Sequence, residues 1–241
     1  MRRAGRWAMI VLLASLPFAP MAQAADPVLK SGRDPGGVAV ALLVDGVDYR
    51  EPDVAGVLAR DGEGEAIAFD AVDDDHRPFL ERGHGTEAMR AAVRHGGLRI
   101  VAVRVDFRDL RSVAKGISFA ASTPARIVLS AAGNDDAGAA LDVLASAAQK
   151  FPDLLFLASA SGLAFDAQAK FAAHANLVVL PDDGGAVSAA DAVALVFGCS
   201  DAALAAGLRD RTAFFARLRQ QRDAGVAGCE AARGDAQSEK P

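Results

Sequence analysis

Long hydrophobic stretches are missing from the 241-residue sequence after residue 25. Asp, Arg, Gly or Pro interrupts every later apolar run within about ten residues, whereas a membrane-spanning helix needs about 20. Basic clusters are missing too: 26 Lys and Arg residues stand against 31 Asp and Glu residues, for a net charge of −5. We therefore predict no nucleic-acid binding, because that function needs a concentrated positive surface.

Metal and cofactor motifs are equally scarce. The sequence has two cysteines and four histidines, and no Cys/His cluster has the spacing of a zinc site. The adjacent carboxylates Asp73, Asp74 and Asp75 are more typical of a solvated acidic loop than of a calcium site. We predict no metal and no cofactor.

The N-terminal residues have the layout of a secretory signal peptide. Arg2, Arg3 and Arg6 precede an apolar run that ends near Leu16, and the small residues of Ala22-Gln23-Ala24 follow. We expect a signal peptide at 1–24 and a periplasmic or secreted mature chain without a membrane segment, an uncleaved N-terminal anchor being the alternative.

Both cysteines, Cys199 and Cys229, lie in the C-terminal quarter of the chain. Because an exported chain enters an oxidising compartment, we predict a disulfide between them. The alternative is that Cys199 is a small buried apolar residue and Cys229 is a free thiol in the tail.

Several segments are apolar on both faces, which is typical of strands in a parallel sheet that is covered on both sides. These segments are Val38–Val44, Ile100–Val105, Ile127–Leu129, Leu154–Ala158 and Leu177–Leu180. Helical spacing at Arg111–Ala121 and Ala137–Phe151 separates some of them. This alternation predicts an α/β fold with a doubly wound parallel sheet, whose functional crevice lies beyond the carboxyl ends of the strands.

The domain organisation follows from these segments. We expect an N-terminal linker at 25–35, one α/β domain at 36–224 that closes with a helix at Asp210–Asp223, and a disordered tail at 225–241. The tail is rich in Ala, Gly, Glu, Ser and Lys, a composition that does not form a core.

Four segments, in order, resemble signatures of the subtilisin-like serine peptidases. They are Val40–Tyr49 with the turn Glu51-Pro52-Asp53-Val54, the acidic loop Phe69–Asp75 with Gly83-His84-Gly85-Thr86, Arg126–Ser130, and Leu155–Gly162. The resemblance covers roughly residues 36 to 208 and implies a subtilisin-like fold. Few residues separate Gly162 from Ser188, so the resemblance also implies a truncated cleft.

The same resemblance implies that most of the catalytic machinery is absent. His84 stands at the position of the catalytic histidine, but Val44 replaces the catalytic aspartate and Asp45 stands one residue later. Neighbouring strand residues point to opposite faces, so Asp45 cannot simply substitute. Gly162 falls where the family has the Asn that donates to the oxyanion.

The position of the nucleophile is open. Aligning the glycine of Gly185–Ala192 with the family motif places Val187 at the catalytic serine, whereas aligning serine with serine selects Ser188. Ser188 with Asp191 is also typical of a helix N-cap.

We therefore expect an exported, inactive subtilisin-like protein that binds a peptide or protein partner. One alternative is a residual serine endopeptidase that uses His84, Ser188 and Asp45. A second is a structural domain with no ligand in the cleft.

Overall fold

The computed structural model describes residues 26–132, 137–159, 171, 173–180, 186–197, 210, 212–218 and 220. Several sequence predictions lie outside these residues: the signal peptide at 1–24, the tail at 225–241, Gly162, and the Cys199–Cys229 disulfide. None of the helices in the described ranges has the length and apolar character needed to cross a membrane.

Helices and strands alternate along the described chain. In order, they are β1 (Val38–Val44), α1 (Pro52–Ala55), β2 (Ala68–Asp70), α2 (His84–Val93), β3 (Leu98–Arg104), α3 (Leu110–Ala121), β4 (Ile127–Ser130), α4 (Ala137–Lys150), β5 (Leu155–Ser159), β6 (Leu177–Leu180) and α5 (Ala186–Phe197). Within the predicted closing helix Asp210–Asp223, the described residues 212–218 and 220 are helical, whereas Asp210 lies in a bend.

The six strands form one sheet in the order β2-β3-β1-β4-β5-β6, and every pair is parallel. This confirms the predicted α/β fold with a doubly wound parallel sheet. The chain runs from β1 to one side of the sheet and from β4 to the other, so the strand order reverses between these neighbours. Ligand crevices in such sheets lie outside the carboxyl ends of the strands at this reversal.

The core has two layers because both faces of the sheet are covered. Val40, Leu42 and Val44 of β1 face α2 and α5, whereas Ala39 and Leu43 face α3 and α4. All seven β1 residues except Val38 are buried. This two-sided burial explains why the strands read as continuous apolar runs without alternation.

Two short elements do not have a sequence signal of their own. The strand β2 has three residues and helix α1 has four, and both are shorter than the pattern that periodicity can detect. Helix α2 begins at His84, since Gly83 is its extended N-cap residue.

Candidate functional site

The carboxyl end of β1 meets the N-terminus of α2 at the point where ligand crevices are expected. Gly85, the second residue of α2, allows this close approach. A Cβ atom added at Gly85 would lie 2.2 Å from the carbonyl oxygen of Gly46 and 2.7 Å from the Cβ of Val44. The structure thus brings Val44, Asp45 and His84 together in one corner, with Val44 fully buried.

Asp45 caps helix α2 from outside the helix. Its Oδ2 accepts a hydrogen bond from the main-chain N–H of His84 at 3.1 Å, and its Oδ1 accepts one from the N–H of Gly85 at 2.9 Å. The carboxylate satisfies two amides that have no partner within the helix, and its negative charge lies at the positive end of the helix dipole. Because β1 ends at Val44, Asp45 lies outside the strand, and the alternation of side chains along a strand does not set the direction of its side chain.

The His84 side chain is exposed at the start of α2. Within the described part of the chain, no hydrogen bond reaches its ring. The hydrogen bond from His84 to Asp45 is made by the main-chain N–H. The contact between Asp45 and His84 therefore differs from that of a catalytic pair, in which the carboxylate accepts from a ring N–H and fixes the tautomer.

Thr86 joins α2 to the segment after β1 and does not cap the helix. The buried Thr86 hydroxyl accepts a hydrogen bond from the N–H of Asp48 at 2.9 Å, and so it fastens the segment after β1 to α2. Asp45 provides the cap instead, because it follows the strand that packs under the helix. This role had no signal in the sequence, since the two residues that it joins are 39 and 40 positions away.

Arginine side chains pair with the carboxylates around this corner. Arg50 donates to the buried carboxylate of Asp48 through Nε at 2.9 Å and Nη2 at 2.6 Å, and these bonds hold the pKa of Asp48 below its usual value. Arg90 on α2 pairs with Glu51, Asp53 and Glu87. These two arginines and four carboxylates together carry a net negative charge.

Arg104, the last residue of β3, links three strand ends and was not singled out from the sequence. Its Nη1 donates to Asp70 at 2.7 Å and to Asp73 at 2.8 Å, and its Nε donates to the carbonyl oxygen of Asp45 at 3.2 Å. Asp70 is fully buried. The only sign of this contact in the sequence is that Arg104 and Asp70 each follow directly after an apolar run.

The remaining candidate positions are only partly described. Gly162 lies outside the described residues, whereas Val187 and Ser188 are the second and third residues of α5. Because α5 begins at Ala186, Ser188 lies inside the first turn and not at the N-cap. Asp191, proposed as its capping partner, forms an ion pair with Arg94, the C-cap residue of α2.

Replacing Asp45 tests its capping role. We expect Asp45→Ala to lower the free energy of unfolding by about 1–2 kcal/mol, because two helix amides lose their acceptor. Asp45→Asn, which keeps an acceptor oxygen, should cost less. The measurement is urea unfolding followed by circular dichroism. Glu63→Ala, which removes an exposed loop carboxylate, is the control and should change stability by no more than about 0.5 kcal/mol. Equal stabilities of Asp45→Ala and Glu63→Ala would contradict the capping role.

Comparison with known proteins gives limited similarity. No protein-family model matches the chain, and no curated protein matches it. Among solved structures, the chain is similar to a cold-adapted subtilisin-like serine proteinase, with 20% sequence identity and a TM-score of 0.37. The match covers 54% of this chain and 48% of the proteinase chain, so it spans about half of that structure.

Proposed function

We propose that this chain is an exported, subtilisin-like protein without peptidase activity that acts by binding an extended peptide or a protein segment. The observation that carries the proposal is the state of Asp45. Both of its carboxylate oxygens accept hydrogen bonds from main-chain amides of α2, at 3.1 and 2.9 Å. A carboxylate used in this way caps a helix and does not orient a histidine ring.

The environment of His84 supports the same proposal. A catalytic histidine needs a partner that fixes its tautomer and stabilises its protonated form, and loss of that aspartate costs about 10⁴ in rate in serine proteases. At the corresponding position this chain has Val44, which is apolar, fully buried and packed against Gly85. The exposed ring of His84 is therefore available for contact with a partner, without the assistance that catalysis requires.

The position of the corner supports binding. The exposed His84 side chain lies at the N-terminus of α2, which Asp45 caps at the carboxyl edge of the sheet, and the exposed Arg82 precedes it by two residues. The loop from Leu80 to Gly83 carries Arg82 and leads directly to His84, and Leu80 donates a main-chain hydrogen bond to Val47. A loop that is fixed to the sheet and exposes polar side chains is suited to binding a peptide.

Two measurements test the proposal. A fluorophosphonate probe should leave the purified protein unlabelled, and His84→Ala should hydrolyse casein at the same background rate as the unmutated chain. Labelling of Ser188 that disappears in His84→Ala would establish a working nucleophile and base, and would return the chain to the serine endopeptidases.

Binding is tested separately with a displayed library of extended peptides. Peptides selected on the protein should bind at least tenfold more weakly to the double variant Arg82→Glu/His84→Ala. Lys150→Glu is the matched charge reversal, because Lys150 ends α4 at the opposite edge of the sheet, and it should leave binding unchanged. Failure to select any peptide, or equal binding to both variants, would instead support a structural domain with an empty cleft.

A further inference from the structure

The residues expected to form an N-terminal linker lie against the body of the protein. We call residues 27–34 the strap. They have no regular secondary structure, yet hydrogen bonds fasten them at several points to the segment between β1 and β2. The Tyr49 hydroxyl donates to the carbonyl oxygen of Pro27 at 2.6 Å, and the N–H of Gly32 donates to the carbonyl oxygen of Gly64 at 2.9 Å.

Arg60 is the central contact of the strap and is only 9% exposed. Its guanidinium donates to the carbonyl oxygens of Lys30 in the strap at 2.8 Å, and of Gly64 and Ala55 in the body at 3.0 and 3.3 Å. Among the described residues no carboxylate pairs with this cation. Opening of the strap would exchange the hydrogen bond to the Lys30 carbonyl oxygen for hydration of the guanidinium, so the net free energy with which Arg60 holds the strap is modest.

The C-terminal end of the strap is held by the Asp34 side chain. Its Oδ2 accepts from the main-chain N–H of Arg60 at 2.8 Å, and its Oδ1 accepts from Arg99 at 2.8 Å and from the N–H of Gly36 at 2.7 Å. Gly36 and Gly37 follow with φ angles of +76° and +86°, a conformation that glycine adopts without strain. The strap therefore joins β1 through two glycines in a conformation that other residues rarely adopt.

Apolar contacts contribute little to this attachment. Leu29 packs against the core but is only partly buried, and Val28 is 74% exposed. Segments that are held mainly by hydrogen bonds, with few buried apolar contacts, open more readily than the core of a protein. Burial raises the pKa of Tyr49, so its hydroxyl stays protonated and remains a donor.

We call the surface beneath the strap, which includes Tyr49, Arg60 and Gly64, the groove. It contacts mainly the main chain of the strap. Tyr49, Arg60 and Gly64 all form hydrogen bonds with peptide groups of the strap, whereas Ser31 and Asp34 form hydrogen bonds through their side chains. We propose that this groove is a binding site for an extended peptide with a carboxylate at the Asp34 position. The chain's own strap occupies the groove as a latch that opens while the sheet stays folded. When the latch is open, the strap of a second copy of the chain binds in the groove.

Native-state hydrogen exchange on the purified chain tests the latch. The amides of Gly32 and Arg60 should exchange together, at least tenfold faster than the amides of β1. Tyr49→Phe removes one fastening hydrogen bond and should accelerate both about tenfold while β1 is unchanged. Ser31→Ala removes only an exposed bond to Glu65 and should accelerate them about twofold or less. Exchange of Gly32 and Arg60 at the β1 rate would overturn the proposal.

A fluorescent peptide of residues 26–37 tests the groove. It should bind the purified chain saturably, and the same peptide with Asp34→Ala should bind at least tenfold more weakly. Arg60→Met in the protein should also weaken binding, and circular dichroism checks that this variant is folded. If the variant does not fold, the comparison of the two peptides still decides. Absence of saturable binding, or equal binding of the two peptides, would overturn the proposal.

Discussion

Replacing Arg104 with alanine should lower the free energy of unfolding by about 3–5 kcal/mol, because it leaves the fully buried carboxylate of Asp70 without a cation. Asp70 keeps two main-chain donors, Val72 and Asp73, but they do not neutralise its charge. The change also frees the carbonyl of Asp45 and the side chain of Asp73. Chemical denaturation monitored by circular dichroism measures the loss.

Two further variants isolate the buried charge as the cause. Arg104→Ala/Asp70→Asn should be more stable than Arg104→Ala alone, because an uncharged amide is easier to bury than an unpaired carboxylate. Arg111→Ala, at an exposed position in the first turn of α3, is the matched control and should stay within about 0.5 kcal/mol of the unmutated chain. A loss below about 1 kcal/mol for Arg104→Ala would show that water enters the pair and that the ion pair contributes little.

The second large effect is expected for Gly85→Ala. The new Cβ would lie 2.2 Å from the Gly46 carbonyl oxygen and 2.7 Å from the Val44 Cβ, so α2 has to move away from β1. We expect a loss of about 3 kcal/mol, the upper part of the range for overpacking. Alanine is favoured over glycine inside a helix by about 0.5–1 kcal/mol, so local propensity alone predicts the opposite sign. Thermal and urea unfolding therefore distinguish packing from propensity.

Suitable controls separate the backbone clash from the side-chain clash. Gly62→Ala should be close to neutral, because no atom lies within 4 Å of a Cβ built there. Adding Val44→Ala to Gly85→Ala removes the contact with the valine Cγ2 at 2.9 Å but leaves the contacts with its Cβ and with the Gly46 carbonyl oxygen, so stability should not recover. A stable Gly85→Ala protein would mean that α2 does not lie so close to the end of β1.

Most of the scaffold was predictable from local patterns. The run Val38–Val44 matched strand β1 at both ends, since a strand that is buried on both faces has no polar residue before its end. Arg111–Ala121 differed from α3 by one residue, because the Asp109 side chain caps the helix by accepting from Arg111 and so lets it begin at Leu110. The three-residue strand β2 was missed because its position depends on pairing with β3.

The candidate site was predicted less completely. Motif order placed Val44, Asp45 and His84 in one region, but the residue types did not indicate that Asp45 would bond to the α2 main chain. The same limit applies to Arg60, whose three acceptors are carbonyl oxygens that every sequence contains. A hydrogen bond to a main-chain group does not depend on the type of residue that supplies the group, so the sequence does not indicate it.

The sequence by itself determined the class of fold, because hydrophobic runs and helical periodicity record which faces are buried, and burial is the largest favourable term in folding. Only the tertiary structure decided what the polar residues do. Three contacts join segments that are 26 or more positions apart in the sequence: Asp45 with α2, Arg104 with Asp70, and Arg60 with Asp34 of the strap. Such bonds depend on distances of about 3 Å between donor and acceptor, which are set when the helices pack on the sheet.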